Sequence, residues 1–152
     1  MRVEHRLGIA TPPDLIWEVL SDIAGWPRWS SIYPKAEGEV RFGGQLALTL
    51  ALPGEAHREI TPTVFDWTPD QALHWRDKEA WGLSHSVRYM EIEPLDKAGC
   101  IFANGEIFKG LLGPRLNVSR RRSLRRGYAA FGEALKERSE ALWAERLGAG
   151  AD

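Results

Sequence analysis

PRLNVSRRRSLRRGYAAFGEALKERSEALWAER, residues 114–146, is the stretch on which the fold turns. Its single proline stands at its start, strand alternation is absent, and arginine, leucine, alanine and glutamate dominate, all good helix formers. Pro114 suits a first helical turn. A helix of about 30 residues runs on the order of 50 Å, enough to cross a whole sheet. At roughly 100° per residue, Leu124, Tyr128, Phe131, Leu135 and Leu142 fall in one narrow stripe, with Arg122, Arg126, Glu133, Glu137 and Glu140 turned away from it. So narrow a stripe must lie against something flat. The closing GAGAD reads as a disordered tail, leaving residues 1–147 as a single domain.

Working back from that helix, the chain reads as strand and turn as far as Tyr33-Pro34. Gly43-Gly44, Pro53-Gly54, Pro69-Asp70 and the stretch from Pro94 to Gly99 punctuate it at hairpin spacing. In QLALTLALP, Leu46, Leu48, Leu50 and Leu52 share one face while Ala47, Thr49 and Ala51 take the other. Further back, Val3, His5, Leu7 and Ile9 share a parity and predict a first strand. Thr11, Pro12 and Pro13 then open a short helix carrying Leu15, Ile16, Val19 and Leu20 at helical spacing. SDIAGWPRWSS, broken by Gly25 and Pro27, reads as a second short helix or tight turn with Trp26 and Trp29 three apart.

Composition narrows the function classes. The 152 residues hold 20 Lys and Arg against 21 Asp and Glu, so nothing in the overall charge favours a nucleic acid or an anionic membrane. With one cysteine, Cys100, an intrachain disulfide and a multi-cysteine metal site are both excluded, and a reducing cytoplasm is the expected setting. The charged N-terminal segment lacks an apolar core, and nothing approaches the roughly 18 apolar residues of a membrane span. Neither an export signal nor stable membrane insertion is expected. The four histidines have no metal-binding spacing, and GEVRFGGQ is a hairpin rather than a phosphate loop, so neither metal nor cofactor is expected. Seven tryptophans are many for this length and suit either a core or the wall of a concave site. A homodimer through an exposed strand or the outer helix face remains open.

Two stretches strengthen the reading. PPDLIWEVLSDIAGWPRWSSIYPKAEGEVRFGGQL, residues 12–46, has a proline-led helix, a tryptophan-bearing turn and a strand ending in a glycine hairpin. HWRDKEAWGLSHSVRYMEIEPLDKAGCIFANGEIFKGLLGPRL, residues 74–116, has long strands and a phenylalanine-glycine-leucine lead into the last helix. Together they resemble the START-like helix-grip superfamily, the SRPBCC proteins of polyketide cyclase/dehydrase type. The resemblance covers about residues 1 to 145. It implies an α+β fold in which two short N-terminal helices and a long C-terminal helix pack on a curved antiparallel sheet of about six to seven strands. Members include lipid and plant-hormone binders, ubiquinone-binding proteins, aromatase/cyclases and chaperone activators, so fold alone does not choose a function.

In such a fold the inner faces of the strands and of the last helix enclose a ligand space. Period two sends Ser86, Arg88, Met90 and Ile92 inward from SHSVRYMEIEP, and Phe102, Asn104, Glu106 and Phe108 inward from CIFANGEIF. If a turn around Asp96 to Ala98 joins these strands, antiparallel pairing sets Arg88 opposite Glu106 and Met90 opposite Asn104. Arg88 and Glu106 are then either an ion pair that fixes register or the polar end of a ligand site. Trp29, Leu48, Leu50, Trp67 and Trp75 are expected around the ligand, with Asn117, Arg120 and Leu124 from the last helix; Trp81 belongs to the same tryptophan set. For the other arginines of RRRSLRR a solvated helix face is expected.

The primary expectation is binding of a small hydrophobic or amphipathic molecule, a lipid, aromatic or polyketide-like compound. One alternative is a cyclase or hydratase with Glu106 as base and Arg88 or Arg120 stabilising negative charge. Against it, a carboxylate paired with arginine is a poor base. The other alternative is an interaction module whose interior the tryptophans simply fill.

Overall fold

The computed structural model describes residues 1–79, 84–96, 98–110 and 117–150. Trp81 and Pro114, and residues 151 and 152 of the expected tail, lie outside them. Residues 148–150 are described as part of the last helix.

The chain opens with β1 (Arg2–Ile9), then α1 (Pro13–Ser21), one 3₁₀ turn (Ile23–Gly25) and α2 (Trp26–Trp29). Seven strands follow: β2 (Lys35–Glu37), β3 (Ala47–Leu50), β4 (Arg58–Ile60), β5 (Thr63–Thr68), β6 (Ala72–Glu79), β7 (Ser84–Asp96) and β8 (Gly99–Gly110). Helix α3 (Val118–Gly150) closes the chain. Five strands form one antiparallel sheet in the order β1-β8-β7-β6-β5, and β2-β3-β4 form a second. The Gln45–Thr63 bridge and the hydrogen bonds of Val64 with Gly43 and Gly44 join the two sheets. The resemblance implies about six to seven strands and the described residues form eight, in rough agreement, two of them, β2 and β4, being only three residues long. The architecture is the helix-grip fold.

Parity decides what is buried. On β7, Ser86, Arg88, Met90 and Ile92 are all at or below 5% exposed, and on β8 so are Cys100, Phe102 and Asn104. Pairing runs as expected, with Arg88 opposite Glu106 and Met90 opposite Asn104. Pro94 is tolerated in β7 because the pairing of that strand with β6 ends at Glu91, so no ladder bond is lost on that side. Helix α3 lays Leu124, Tyr128, Phe131 and Leu135 on the inner face, none more than 1% exposed. Burial of such side chains contributes roughly 1.5–3 kcal/mol each. Gly132 lets α3 approach β1: a Cβ there would lie 3.0 Å from Leu7 Cδ2 and 3.1 Å from His5 Nδ1. Among the described residues no helix is long and apolar enough to cross a membrane.

Candidate functional site

Between sheet and helix, the interior is packed with rings. Trp26, Tyr33, Trp75, Phe102, Tyr128 and Phe131 are at or below 2% exposed. Trp26 stands 5.0 Å from Tyr33, 5.9 Å from Trp75 and 5.2 Å from Phe131 between ring centroids. The Trp26 indole N–H is satisfied by the Leu20 carbonyl at 2.9 Å. These are the tilted and edge-on arrangements that aromatic quadrupoles favour.

Into this aromatic mass β7 sends Arg88, 1% exposed. Its Nε donates to the Tyr33 hydroxyl at 3.2 Å, Nη1 to the carbonyls of Tyr89 and Gly105 at 3.1 Å each, and Nη2 to Asn104 Oδ1 at 2.9 Å. The guanidinium carbon lies 4.0 Å from the centre of the Tyr128 ring and 5.3 Å from that of Phe131. Asn104 is oriented in turn by donating Nδ2 to the Tyr128 carbonyl at 3.2 Å.

The expected Arg88–Glu106 ion pair is not made. Although opposite in register, the two side chains are joined by no ion pair among the described residues. Tyr128 instead donates its hydroxyl to Glu106 Oε1. The reason is geometric: Arg88 reaches neutral oxygens on Tyr33, Tyr89, Asn104 and Gly105, while Tyr128 comes from α3 onto Glu106. Four of the five guanidinium N–H groups are thus spent on neutral acceptors, and the charge stays buried without a directly bonded carboxylate. Burial first, and then the Glu106 carboxylate, push the Tyr128 phenol well above its ordinary range; burial raises Tyr33 as well. Both remain protonated at neutral pH.

The remaining expected site residues divide. Leu48, Leu50, Trp75, Met90 and Leu124 are buried in the shared core. Trp29 is half-buried and stacks 5.1 Å from Phe131. Trp67 does not reach the interior: it is 41% exposed, one residue from the end of β5, the edge strand of its sheet, although it stands opposite the buried Leu73. Asn117 is exposed and caps α3, its Oδ1 accepting the Arg120 backbone N–H at 2.8 Å. Arg120 is drawn away from Arg88 by Glu55 of the β3–β4 loop. Tyr33 and Tyr128 were not expected in the site. A tyrosine within the otherwise apolar α3 stripe was the available signal for Tyr128; Tyr33, from the turn after α2, carried none. Cys100 is buried with its thiol pushed up, first by burial and then by Asp96. Among the described residues no group of three or more His, Cys, Asp or Glu is placed to hold a metal ion.

Comparison with known proteins agrees with this architecture. The fold is similar to that of the Zhui aromatase/cyclase from Streptomyces sp. R1128, with a TM-score of 0.73 and 23% identity over 92% of this chain and 93% of that one. It is also similar to a START superfamily protein from Mycobacterium smegmatis, with a TM-score of 0.75 and 15% identity over 93% and 98% of the two chains. Norcoclaurine synthase from Thalictrum flavum gives a TM-score of 0.64 and 18% identity over 90% and 84%. In sequence, a Streptomyces halstedii protein named "Putative polyketide cyclase" is 31% identical over 68 residues, which are 45% of this chain and 59% of that relative. The family described as polyketide cyclase / dehydrase and lipid transport matches residues 1–140, and the chain belongs to that family.

Proposed function

We propose that the protein binds a small, ring-bearing amphipathic molecule between the sheet and α3, with the polar end of the ligand toward Arg88. The observation that carries this is the buried Arg88 charge, bonded only to neutral oxygens and surrounded by aromatic faces. A buried cation without a bonded counter-ion is costly, and a carbonyl, enolate or carboxylate of a ligand would relieve that cost. Asn104, Glu106, Tyr33 and Tyr128 complete the polar end. Trp26, Trp75 and Phe131 supply flat surfaces, and Met90 supplies an adaptable one. The family description and the likeness to an aromatase/cyclase support a ligand of this kind. Because rings cover Arg88, binding requires them to part, so ligand capture is coupled to loosening of the contact between α3 and the sheet.

Native mass spectrometry of freshly purified protein, with extraction of what it carries, tests the reading. Retention of an amphipathic small molecule, lost in Arg88→Met, is the expected result. Failure to capture any member of broad lipid and aromatic libraries would overturn it, in favour of an interaction module with a filled interior. A second reading, acid-base chemistry on a polyketide-like substrate, is favoured by one feature: the hydrogen bond from Tyr128 to Glu106 beside Arg88. There Glu106 would take a proton from the substrate while the Tyr128 hydroxyl holds the carboxylate in place, and Arg88 would stabilise the oxyanion that develops. Its mark is product formation that Tyr128→Phe abolishes while ligand capture persists.

A further inference from the structure

We propose that the groove between α1, α2 and α3 is the mouth of the ligand space, that Trp29 is its movable wall, and that its rim recruits ligands carrying an anionic group; this rests on the ligand-binding reading above. The groove encloses about 320 Å³, and its apolar floor is formed by Val19, Trp29 and Leu142. Trp29 and Leu142 pack against the core yet are only partly buried, so some apolar surface there is left in contact with water.

Behind Trp29 the path inward is short. Its ring lies 5.1 Å from Phe131 and 6.2 Å from Trp26, both 0% exposed, and Phe131 in turn lies 5.3 Å from the Arg88 guanidinium carbon. Two ring layers therefore separate the groove from the buried cation. Trp29 is the last residue of the four-residue α2, so a change of its rotamer would open the wall without breaking the sheet or α3.

The rim gives the groove its sign. Arg146 is neutralised by a two-pronged bond to Glu18, at 2.6 and 2.8 Å. Arg28 and Arg138 have no hydrogen-bond or ion-pair partner among the described residues, and of the groove's acidic residues only Asp22 remains to oppose them. An amphiphile with an anionic head is attracted to that rim, lays its apolar part on Trp29 and Leu142, and finds Arg88 beyond the wall.

Stopped-flow tryptophan fluorescence with 2-naphthoate and the uncharged 2-naphthylmethanol tests this. In the double variant Arg28→Gln/Arg138→Gln, two exposed positions whose change spares the core, association of 2-naphthoate should slow roughly tenfold while 2-naphthylmethanol is unaffected. Added salt should slow 2-naphthoate in the native protein and not in the variant. Trp29→Ala should speed association of both probes severalfold, with Trp29→Phe between it and the native protein. Equal 2-naphthoate rates in the native protein and the double variant, or a Trp29→Ala variant that melts as the native protein does and gains no speed, overturn the mouth. If neither probe binds the native protein, the ligand-binding reading itself falls, and the mouth with it.

Discussion

The two faces of the five-stranded sheet carry charge in opposite ways. On the outer face, His74 lies between Asp66 at 3.5 Å and Glu91 at 3.1 Å, and Arg6 between Glu4 at 3.7 Å and Glu93 at 3.6 Å. Asp66, Glu91, Glu93 and Arg6 are open to water, which screens their pairs. On the inner face one strand position away, Arg88 is sealed under aromatic rings and bonded to neutral oxygens. The outer contacts are weak and screened, whereas the inner cation is held by four hydrogen bonds in a site closed to water. The difference shows why the proposed ligand site rests on Arg88: a fully buried charge lacking a bonded counter-ion is costly, and an exposed pair is not.

The contrast is broken most directly by removing the inner charge. Arg88→Ala should cost about 3–5 kcal/mol in urea unfolding, since it leaves a cavity, strands the acceptors of Tyr33 and Asn104 and leaves Glu106 buried with less compensation. A loss below about 1 kcal/mol would place Arg88 with the surface pairs. Next comes Gly105→Ala, where the sheet separates its two faces. A new Cβ would lie 2.2 Å from the Val3 carbonyl oxygen and 2.6 Å from the Tyr89 hydroxyl, which must push β1 or the Tyr89 ring aside. Thermal or urea unfolding should register roughly 1–3 kcal/mol of destabilisation.

Alkaline titration sharpens the comparison further. Tyr33 and Tyr128 on the inside, and Tyr89 on the outside under Arg2 and Glu4, all have phenols raised above their ordinary range, with burial as the first cause. A raised folded-state pKa stabilises the fold below the unfolded value near 10, and that contribution is lost as pH climbs through the folded value. Absorbance at 295 nm should therefore show no phenolate step near pH 10 in the folded protein, followed by ionisation coupled to unfolding. An ordinary step near pH 10 for all three tyrosines of the chain would contradict their burial. The smallest effect belongs to the outer face: Arg6→Gln should change stability by less than about 1 kcal/mol, and less still in high salt.

Much of the fold was legible along the chain. The α3 stripe, the parity of β7 and β8 and the pairing of Arg88 with Glu106 follow from periods of 3.6 and 2, which burial enforces residue by residue. The site was legible only as to which residues face inward. Where an inward side chain ends depends on neighbours far away in sequence: Tyr128 takes Glu106, Tyr33 takes Arg88 and Glu55 takes Arg120. Trp67 shows the same limit from the other side: it stands opposite the buried Leu73, yet its place on an edge strand leaves it exposed, which no local pattern announces.

By itself, then, the sequence determined a long helix laid over an antiparallel sheet and the faces that its side chains take. Local periodicity and propensity are properties of neighbouring residues and need no partner to be read. Only the tertiary structure decided that the inner guanidinium and carboxylate stand apart with different partners, because a long side chain chooses among acceptors that the fold alone brings within reach.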